Sequence, residues 1–343
     1  MTGRLFPVIQ TGAFIVLALV LCSLIFAAVG LSATGTLAAI IDGAFFRPNA
    51  LNHILRWGLP LLITAVGVVI SFRAGYFNIG AQGQFYLGAI CAAFAAEWLR
   101  GSPAFVAVPA CLLAGMAGGA LWALWPALLR VKAGADEVIT TMMGNFIAAQ
   151  LLVHVTSGPL KDPSGSGQQA SSRPVDAAWR ISESSGSSPV IIILAGLVVM
   201  LGWWLVNRTS FGILSGLAGR NPVMVTWQGA KVQRIAVSAF VLSGALAGLA
   251  GSVELLGPNG RLASGFLPDH GFTAILIALV AGMSIVAAGF IALFFGALTS
   301  SGLWLPIMTG LPSAAIDIIH ASIALFITAK AGALRALLTW FRR

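Results

Sequence analysis

The sequence predicts an all-α, polytopic membrane protein with about ten transmembrane helices. Of its 343 residues, 58% are hydrophobic and 8% are charged, whereas soluble domains carry about 25% charged residues. A helix needs about 20 apolar residues to cross a bilayer, and apolar stretches of that length recur along the whole chain. A soluble core could not hide so much apolar surface, so residues 1–343 are predicted to form a single transmembrane domain.

The apolar stretches follow one another with short polar breaks. The third stretch contains several glycines, and the eighth and ninth are short and nearly continuous. The predicted spans are Ala13–Leu31, Ile54–Phe72, Gly75–Ala96, Phe105–Leu129, Val138–Val155, Val190–Val206, Ile235–Leu256, Phe272–Ile285, Ala288–Leu305 and Ala314–Ala331.

The distribution of Lys and Arg predicts that both termini are cytoplasmic. With this orientation twelve Lys and Arg residues lie inside and seven outside, in agreement with the positive-inside rule. Two connecting segments are long. Residues 156–189, rich in Ser, Gly and Pro, are predicted to form an external loop that is partly extended or mobile. Residues 208–234 are predicted to form a basic cytoplasmic loop.

The cytoplasmic loop carries the signals of a short amphipathic helix. Asn221 is a predicted N-cap, Pro222 suits the first helical position and Gly229 can end the helix in the left-handed conformation. The apolar residues between them fall at helical spacing: Val223, Met224 and Trp227. Such a helix is either a docking surface for a partner or a helix lying at the lipid interface, where Trp is also favoured.

The segment from Phe72 to Ile90 is unusually polar for a membrane span. It alternates glycines with the uncharged amides Asn78, Gln82 and Gln84, and it contains aromatic side chains. Lipid cannot satisfy such a backbone, which is tolerated at membrane depth only inside protein or beside a wet cavity. The segment therefore predicts a path through the membrane. Its amides could equally serve to hold the broken backbone together.

Several kinds of chemistry lack their sequence signatures. The chain has no phosphate-binding G-x-x-x-x-G-K-[ST] loop and no H-E-x-x-H motif. Its three cysteines lie in apolar stretches and its four histidines are scattered, so neither a metal nor another cofactor is expected. The positive charge lies at the ends of apolar stretches, which argues against nucleic-acid binding. Asp317 and His320 share a helix face and could form a proton relay or a structural hydrogen bond.

Four stretches resemble the permease subunits of bacterial ATP-binding-cassette (ABC) importers in the branched-chain amino acid and simple-sugar superfamily. The resemblance is closest to the nucleoside and simple-sugar branch. The stretches are RAGYFNIGAQGQFYLGA (73–89), ADEVITTMMGNFIA (135–148), GRNPVMVTWQGAKVQRIAVSAFVLSGALAGLAG (219–251) and LPSAAIDIIHASIALFI (311–327). Gln82 stands where the family usually has Glu, and the turn GMSIVAAG (282–289) lacks the basic and Asn residues often found there.

The resemblance implies a subunit of an importer and no enzymatic activity in this chain. Two separate ATPase subunits would dock at the helix between Asn221 and Gly229, and a second permease chain, identical or related, would complete the pore. An external binding protein, periplasmic or a lipoprotein, would deliver the solute to this multi-pass protein of the bacterial inner membrane, where lipid surrounds it. A nucleoside is the expected solute and a simple sugar the alternative; a proton-coupled carrier working alone and an intramembrane enzyme are more remote.

Candidate residues for solute contact follow from the same segments. An amide can offer hydrogen bonds to a ribose or to a base edge, and an aromatic ring can stack on the base. The candidates are Phe77, Asn78, Gln82, Gln84, Phe85, Tyr86 and Asn145.

Overall fold

The structure, a computed structural model, describes residues 16–27, 32–164, 170–182, 188–263 and 269–326. These residues form α-helices joined by turns, short π and 3₁₀ segments and two isolated β-bridges. The helices are α1 Val16–Ala27, α2 Ala33–Ile41, α3 Ala50–Arg73, α4 Ala81–Trp98, α5 Ala104–Ala133, α6 Glu137–Ser157, α7 Pro189–Arg208, α8 Ser210–Ala218, α9 Pro222–Trp227, α10 Val232–Glu254, α11 His270–Val280, α12 Ile285–Ser301, α13 Leu305–Thr309 and α14 Ala315–Phe326.

The helices confirm the all-α prediction and match a polytopic membrane protein. Within the described residues, five helices are long and apolar enough to cross a membrane: α3, α5, α6, α7 and α10 with its π-helical extension to Asn259. Each coincides with a predicted span. The outer parts of the first and tenth predicted spans lie outside the described residues, as do both chain termini.

Among the differences from the predicted boundaries, three concern the third, eighth and ninth spans. The glycine-broken third span contains an irregular segment at residues 74–80, after which α4 continues without interruption through Gly83 and Gly88. Helix α11 ends at Val280, five residues before the predicted end of its span, because Gly282 and Met283 take left-handed conformations (φ 58° and 62°) that terminate a helix. Helix α12 then begins at Ile285 instead of Ala288.

Three shorter helices were not predicted: α2, α8 and α13. Each begins beside a recognisable signal. The Ser32 and Thr209 side chains accept hydrogen bonds from the backbone of α2 and α8 as N-caps, and Pro306 occupies the first turn of α13. These helices are five to nine residues long, well below the length of a span, so a search for long apolar stretches passes over them.

The chain divides into two compact units. One comprises residues 1–57 and 293–343, and the other comprises residues 58–292. In the first unit α2 packs against α13, and an ion pair joins Arg47 to Asp42 at 2.7 Å. His320 is buried and stacks on Phe295 at 4.6 Å between ring centroids, whereas Asp317 is exposed. Asp317 and His320, the pair that could form a proton relay, therefore lie in different environments, one exposed and the other buried.

The centre of the second unit is a tight packing of α4, α5 and α10. Glycines line the contact: a Cβ atom on Gly119 would overlap the carbonyl oxygen of Gly244, and one on Gly248 would overlap that of Gly115. Gly251 similarly meets the carbonyl oxygen of Phe85 on α4. These small-residue faces let the helix backbones approach closely, as they do in other membrane bundles.

Residues 158–164 and 170–182 are more ordered than the sequence suggested. Lys161 pairs with Ser172, and Ser171 pairs with Ala263, through isolated β-bridges. Trp179 is buried and its indole N–H donates to the carbonyl oxygen of Ser102 at 3.1 Å. Trp179 is a single aromatic residue in a mostly polar stretch, so no periodic apolar pattern predicted that it would be buried.

We expect Gly119→Ala and Gly248→Ala to destabilise the protein, because each added methyl group meets rigid backbone. Overpacking of this kind costs about 1–3 kcal/mol. The measurement is the melting temperature of the purified protein in detergent. Gly196→Ala on α7 is the control, since an added Cβ there meets nothing within 4 Å; equal melting temperatures for all three variants would contradict the packing described.

Candidate functional site

Four buried amide side chains surround the irregular segment between α3 and α4; Asn78, Gln82, Gln84 and Asn145 are called the amide cluster here. Asn78 and Gln84 exchange two hydrogen bonds, both of 2.9 Å. The Asn78 amide also donates to the Ser243 hydroxyl on α10 at 3.0 Å and accepts from the backbone N–H of Gly80 at 3.1 Å. Asn78 therefore joins the irregular segment to two helices.

The other two amides fasten neighbouring helices to the same segment. Asn145 on α6 donates to the carbonyl oxygen of Ile79 at 2.9 Å and accepts from the backbone N–H of Gly83 at 2.8 Å. Gln82 accepts from the backbone N–H of Gly271 at 2.6 Å and thus satisfies a free N–H in the first turn of α11. It also hydrogen-bonds the Tyr86 hydroxyl.

The aromatic candidates lie in different environments. Phe85 is fully buried and meets His270 edge-on at 5.6 Å between ring centroids. Phe77 is 44% exposed and packs on Phe72 at 4.9 Å, and Tyr86 is partly exposed. Among the predicted residues of the path, Phe77 and Tyr86 are thus the side chains with accessible surface in this conformation.

The structure therefore brings the amide candidates together around one backbone segment, where they satisfy buried backbone groups. Those contacts agree with the alternative that the sequence left open, in which the amides hold the broken backbone together. Direct contact between these side chains and a solute stays a prediction.

The second candidate region is the loop 208–234, where α9 forms as the sequence predicted. The Asn221 side chain accepts from the backbone N–H of Met224 at 3.1 Å, Pro222 occupies the first turn, and Gly229 is left-handed with φ 81°. Three side chains of α9 project outward. Val223 is 63% exposed, Met224 44% and Trp227 87%.

The inner side of α9 is anchored in a small apolar cluster. Val225 is fully buried and packs with Ala74, Ala218, Ile235 and Ala239. Ala74 belongs to the irregular segment that the amide cluster holds.

Close beside this cluster, the backbone at Gly219 contacts the backbone of Arg73 and Gly75. A Cβ atom on Gly219 would overlap the carbonyl oxygen of Arg73, and one on Gly75 would lie 2.8 Å from the Cα of Gly219. Gly75 also has φ 82°, a conformation that L side chains rarely adopt. The loop that carries α9 and the segment that carries Asn78 are therefore in direct contact.

The opposite end of the second unit is basic. An open cleft of about 580 Å³ is lined by Arg100, Arg180 and Arg261 together with Asp176. Hydrogen bonds from Ser164 hold the pKa of nearby Asp162 below its ordinary value, so this carboxylate stays ionised at neutral pH. The surface therefore presents fixed charges of both signs, with arginine in excess around the cleft.

Several residues of these regions escaped the sequence reasoning. Ser243 completes the bonding of Asn78, and Glu254 lies 3.7 Å from His270 in the interior. Neither follows from spacing, because the partners are far apart in sequence. Among the described residues no group of His, Cys, Asp or Glu side chains could hold a metal ion.

An all-helical chain that crosses the membrane repeatedly, with a buried polar junction and a short apolar helix exposed in a basic loop, has the character of a transport subunit. The family model described as the permease component of branched-chain amino acid transport systems matches residues 50–327. The chain belongs to this family.

Several relatives are named as permease proteins of ABC transporters. A guanosine transporter permease of Bacillus subtilis is 30% identical over 330 residues, covering 92% of this chain and 91% of the relative. A glucose transporter permease of Haloferax volcanii is 33% identical over 288 residues, covering 81% and 75%. A nucleoside transporter permease of Lactococcus lactis is 29% identical over 284 residues, covering 79% and 77%. The resemblance inferred from the four stretches is confirmed, and the chain is a transporter subunit, not an enzyme.

Removal of the Asn78 amide should be more destabilising than removal of its partner. Asn78→Leu leaves Gly80, Gln84 and Ser243 without their hydrogen bonds, whereas Gln84→Met leaves Asn78 still bonded to Gly80 and Ser243. Each unsatisfied buried group costs about 1–3 kcal/mol. Melting temperatures of the two purified variants test the order, and an equal or reversed order would contradict the central position of Asn78.

Proposed function

We propose that this chain forms the membrane pore of an ATP-driven importer for nucleosides. The observation that carries the proposal is a match along nearly the whole chain to a guanosine transporter permease, at 30% identity over 92% of this sequence. The simple-sugar alternative is favoured by the relative from Haloferax volcanii, which is named for glucose.

The chemistry of the interior supports the nucleoside. A nucleoside combines a flat base with a hydroxyl-rich sugar, so its path calls for aromatic surface beside hydrogen-bonding groups. Phe77 and Tyr86 offer aromatic surface, and the amide cluster beside them offers hydrogen-bonding groups. A sugar needs the hydrogen bonds but gains less from an exposed ring.

The proposed topology has ten spans with both termini in the cytoplasm of a bacterial cell whose inner membrane holds the protein. Residues 208–234 then lie on the cytoplasmic side and residues 156–189 outside. The external binding protein docks on the end that carries the arginine-lined cleft. A cross-link from Trp227 to the binding protein would contradict this orientation.

The complete importer contains two permease chains and two ATPase subunits. Each ATPase receives one α9 helix, with Val223, Met224 and Trp227 as the apolar contacts and Asn221, Pro222 and Gly229 as the residues that shape the helix. Binding and hydrolysis of ATP then bias the bundle between inward-open and outward-open states. Lipid surrounds the remaining apolar faces.

Within the pore, Phe77 borders the solute path and the amide cluster lies directly behind it. Asn78, Gln82, Gln84 and Asn145 fix the course of the irregular segment, and Phe85 fills the space beneath it. Movement of α10 or α6 would expose Asn78 or Asn145 to the path, since Asn78 bonds Ser243 on α10 and Asn145 belongs to α6.

Uptake assays distinguish the two solute classes. We expect cells that express the chain with its ATPase and binding-protein partners to accumulate labelled guanosine or uridine. An excess of unlabelled nucleosides should abolish the uptake, whereas ribose and glucose should leave it unchanged, because they lack the base. Competition by glucose or ribose in place of nucleosides would reassign the importer to sugars.

A Trp227→Glu variant should lose its ATPase. An exposed aromatic anchor at the centre of an interface contributes about 2 kcal/mol or more, and a carboxylate in the same place would have to be desolvated. The assay is co-purification of the ATPase with the tagged permease from native membranes in mild detergent.

The matched control is Trp98→Glu, because Trp98 is also highly exposed, at 84%, and lies at the last residue of α4. This variant should retain the ATPase. Retention of the ATPase by the Trp227→Glu variant would remove α9 from the interface, and loss by both variants would show that the effect is not specific to α9.

A further inference from the structure

Helix α6 exposes the polar side chains of Gln150 and His154 among apolar ones, whereas the central exposed residues of α5 and α7 are all apolar. Four side chains at four-residue spacing form one exposed ridge, called the α6 ridge here: Met142, Phe146, Gln150 and His154. On α5 the exposed side chains of the central turns are Leu113, Ala117 and Leu121. On α7 the central exposed residues, from Ile192 to Leu201, are also without a polar side chain.

The depth of the ridge makes this difference significant. Helix α6 has 21 residues and extends about 31 Å at 1.5 Å per residue, which matches the hydrocarbon thickness of a bilayer. Gln150 lies about 20 Å from the Glu137 end and about 10 Å from the Ser157 end by the same rise. A primary amide at that depth loses its hydrogen bonds to water if it faces lipid tails.

The buried face of α6 is already occupied. Thr141, Gly144, Asn145, Ala148 and Leu152 point into the second unit, and Asn145 is bound to the irregular segment beside Phe77. The α6 ridge therefore lies on a face of the same helix that the second unit leaves open, starting next to the amide cluster.

We propose that the α6 ridge lines the water-filled solute path and contacts a solute that has both a flat aromatic part and hydrogen-bonding groups. Phe146 stacks on the base, Gln150 donates and accepts at the base edge or the ribose hydroxyls, and Met142 and His154 border the path on either side. This inference rests on the proposed function and adds to it the specific helix face that the solute passes.

Chemical labelling of single cysteines tests whether the ridge meets water. The background carries Cys22→Ala, Cys91→Ala and Cys111→Ala in the assembled transporter in membrane vesicles. Phe146→Cys, Gln150→Cys and His154→Cys are compared with Leu113→Cys and Leu121→Cys on α5 and Leu197→Cys on α7. The reagent is a membrane-impermeant, negatively charged methanethiosulfonate.

The ridge variants should react on the order of 10-fold faster or more than the α5 and α7 variants, because the reactive thiolate forms in water and not in lipid. Reaction rates equal to those of the α5 and α7 variants would place the ridge in lipid and overturn the proposal. Unreactive ridge variants that form disulfides between two permease chains under an oxidant would assign the ridge to the chain–chain interface, which also overturns it.

Uptake by ring variants tests the solute contact. Phe146→Ala should lower labelled uridine or guanosine uptake about 10-fold, which corresponds to the loss of one base–aromatic stacking contact, and Phe146→Trp should preserve it. Phe290→Ala is the control, because Phe290 is a comparably exposed ring, at 73%, on α12. Unchanged uptake in Phe146→Ala, or an equal loss in Phe290→Ala, would contradict a stacking role.

Failure of this inference is distinguishable from failure of the proposed function. If the ridge variants are unreactive while nucleoside uptake and ATPase co-purification persist, only the ridge is wrong. If nucleosides are not taken up but the ridge variants still react, the ridge lines a path for another solute.

Discussion

Residues 74–80 leave the helical hydrogen-bond ladder inside a membrane protein, and each backbone group released there needs a partner that lipid cannot supply. Backbone turns supply partners for several of these groups, and side-chain amides supply partners for others. Asn78 holds Gly80, while Asn145 holds Ile79 and Gly83. These short side chains reach their partners because the helices around them approach closely, which the glycines of α4, α5 and α10 permit. The hydrogen bonds of the amide cluster therefore depend on the close packing that the glycines allow.

A continuous series of contacts leads from α9 to α6. Val225 anchors α9 to Ala74, the loop before α9 meets the irregular segment through Gly219, and that segment is bound to α6 through Asn145. Asn145 and Phe146 are adjacent on α6 and point to different faces. If an ATPase docks on α9 as proposed, a displacement of α9 would therefore move the irregular segment and the α6 ridge through direct packing. Close packing is what allows small shifts at one site to select between two arrangements elsewhere.

Local signals in the sequence predicted local structure well, whereas long-range partners were beyond their reach. Asn221, Pro222 and Gly229 act within a few residues, so the cap, start and end of α9 could be predicted. The partners of Asn78 and Gln82 include Ser243 and Gly271, more than 160 residues away, and no spacing rule connects such positions. The burial of Trp179 and the left-handed conformation of Met283 were missed for a related reason. Each depends on a single residue, and a single residue forms no periodic pattern in the sequence.

The exposed face of α6 shows what the structure adds to a membrane sequence. In the sequence Phe146, Gln150 and His154 belong to an apolar stretch with scattered polar residues, and sequence reasoning selected only their neighbour Asn145, whose side chain is buried. Burial separates the two sets: Asn145 is buried and hydrogen-bonds backbone groups, whereas Gln150 is exposed about 10 Å from the nearer end of the helix. In a lipid environment an outward amide requires water or a polar partner. Because the central exposed residues of α5 and α7 are apolar, Gln150 is the feature of α6 on which the proposed assignment of this face to the solute path depends.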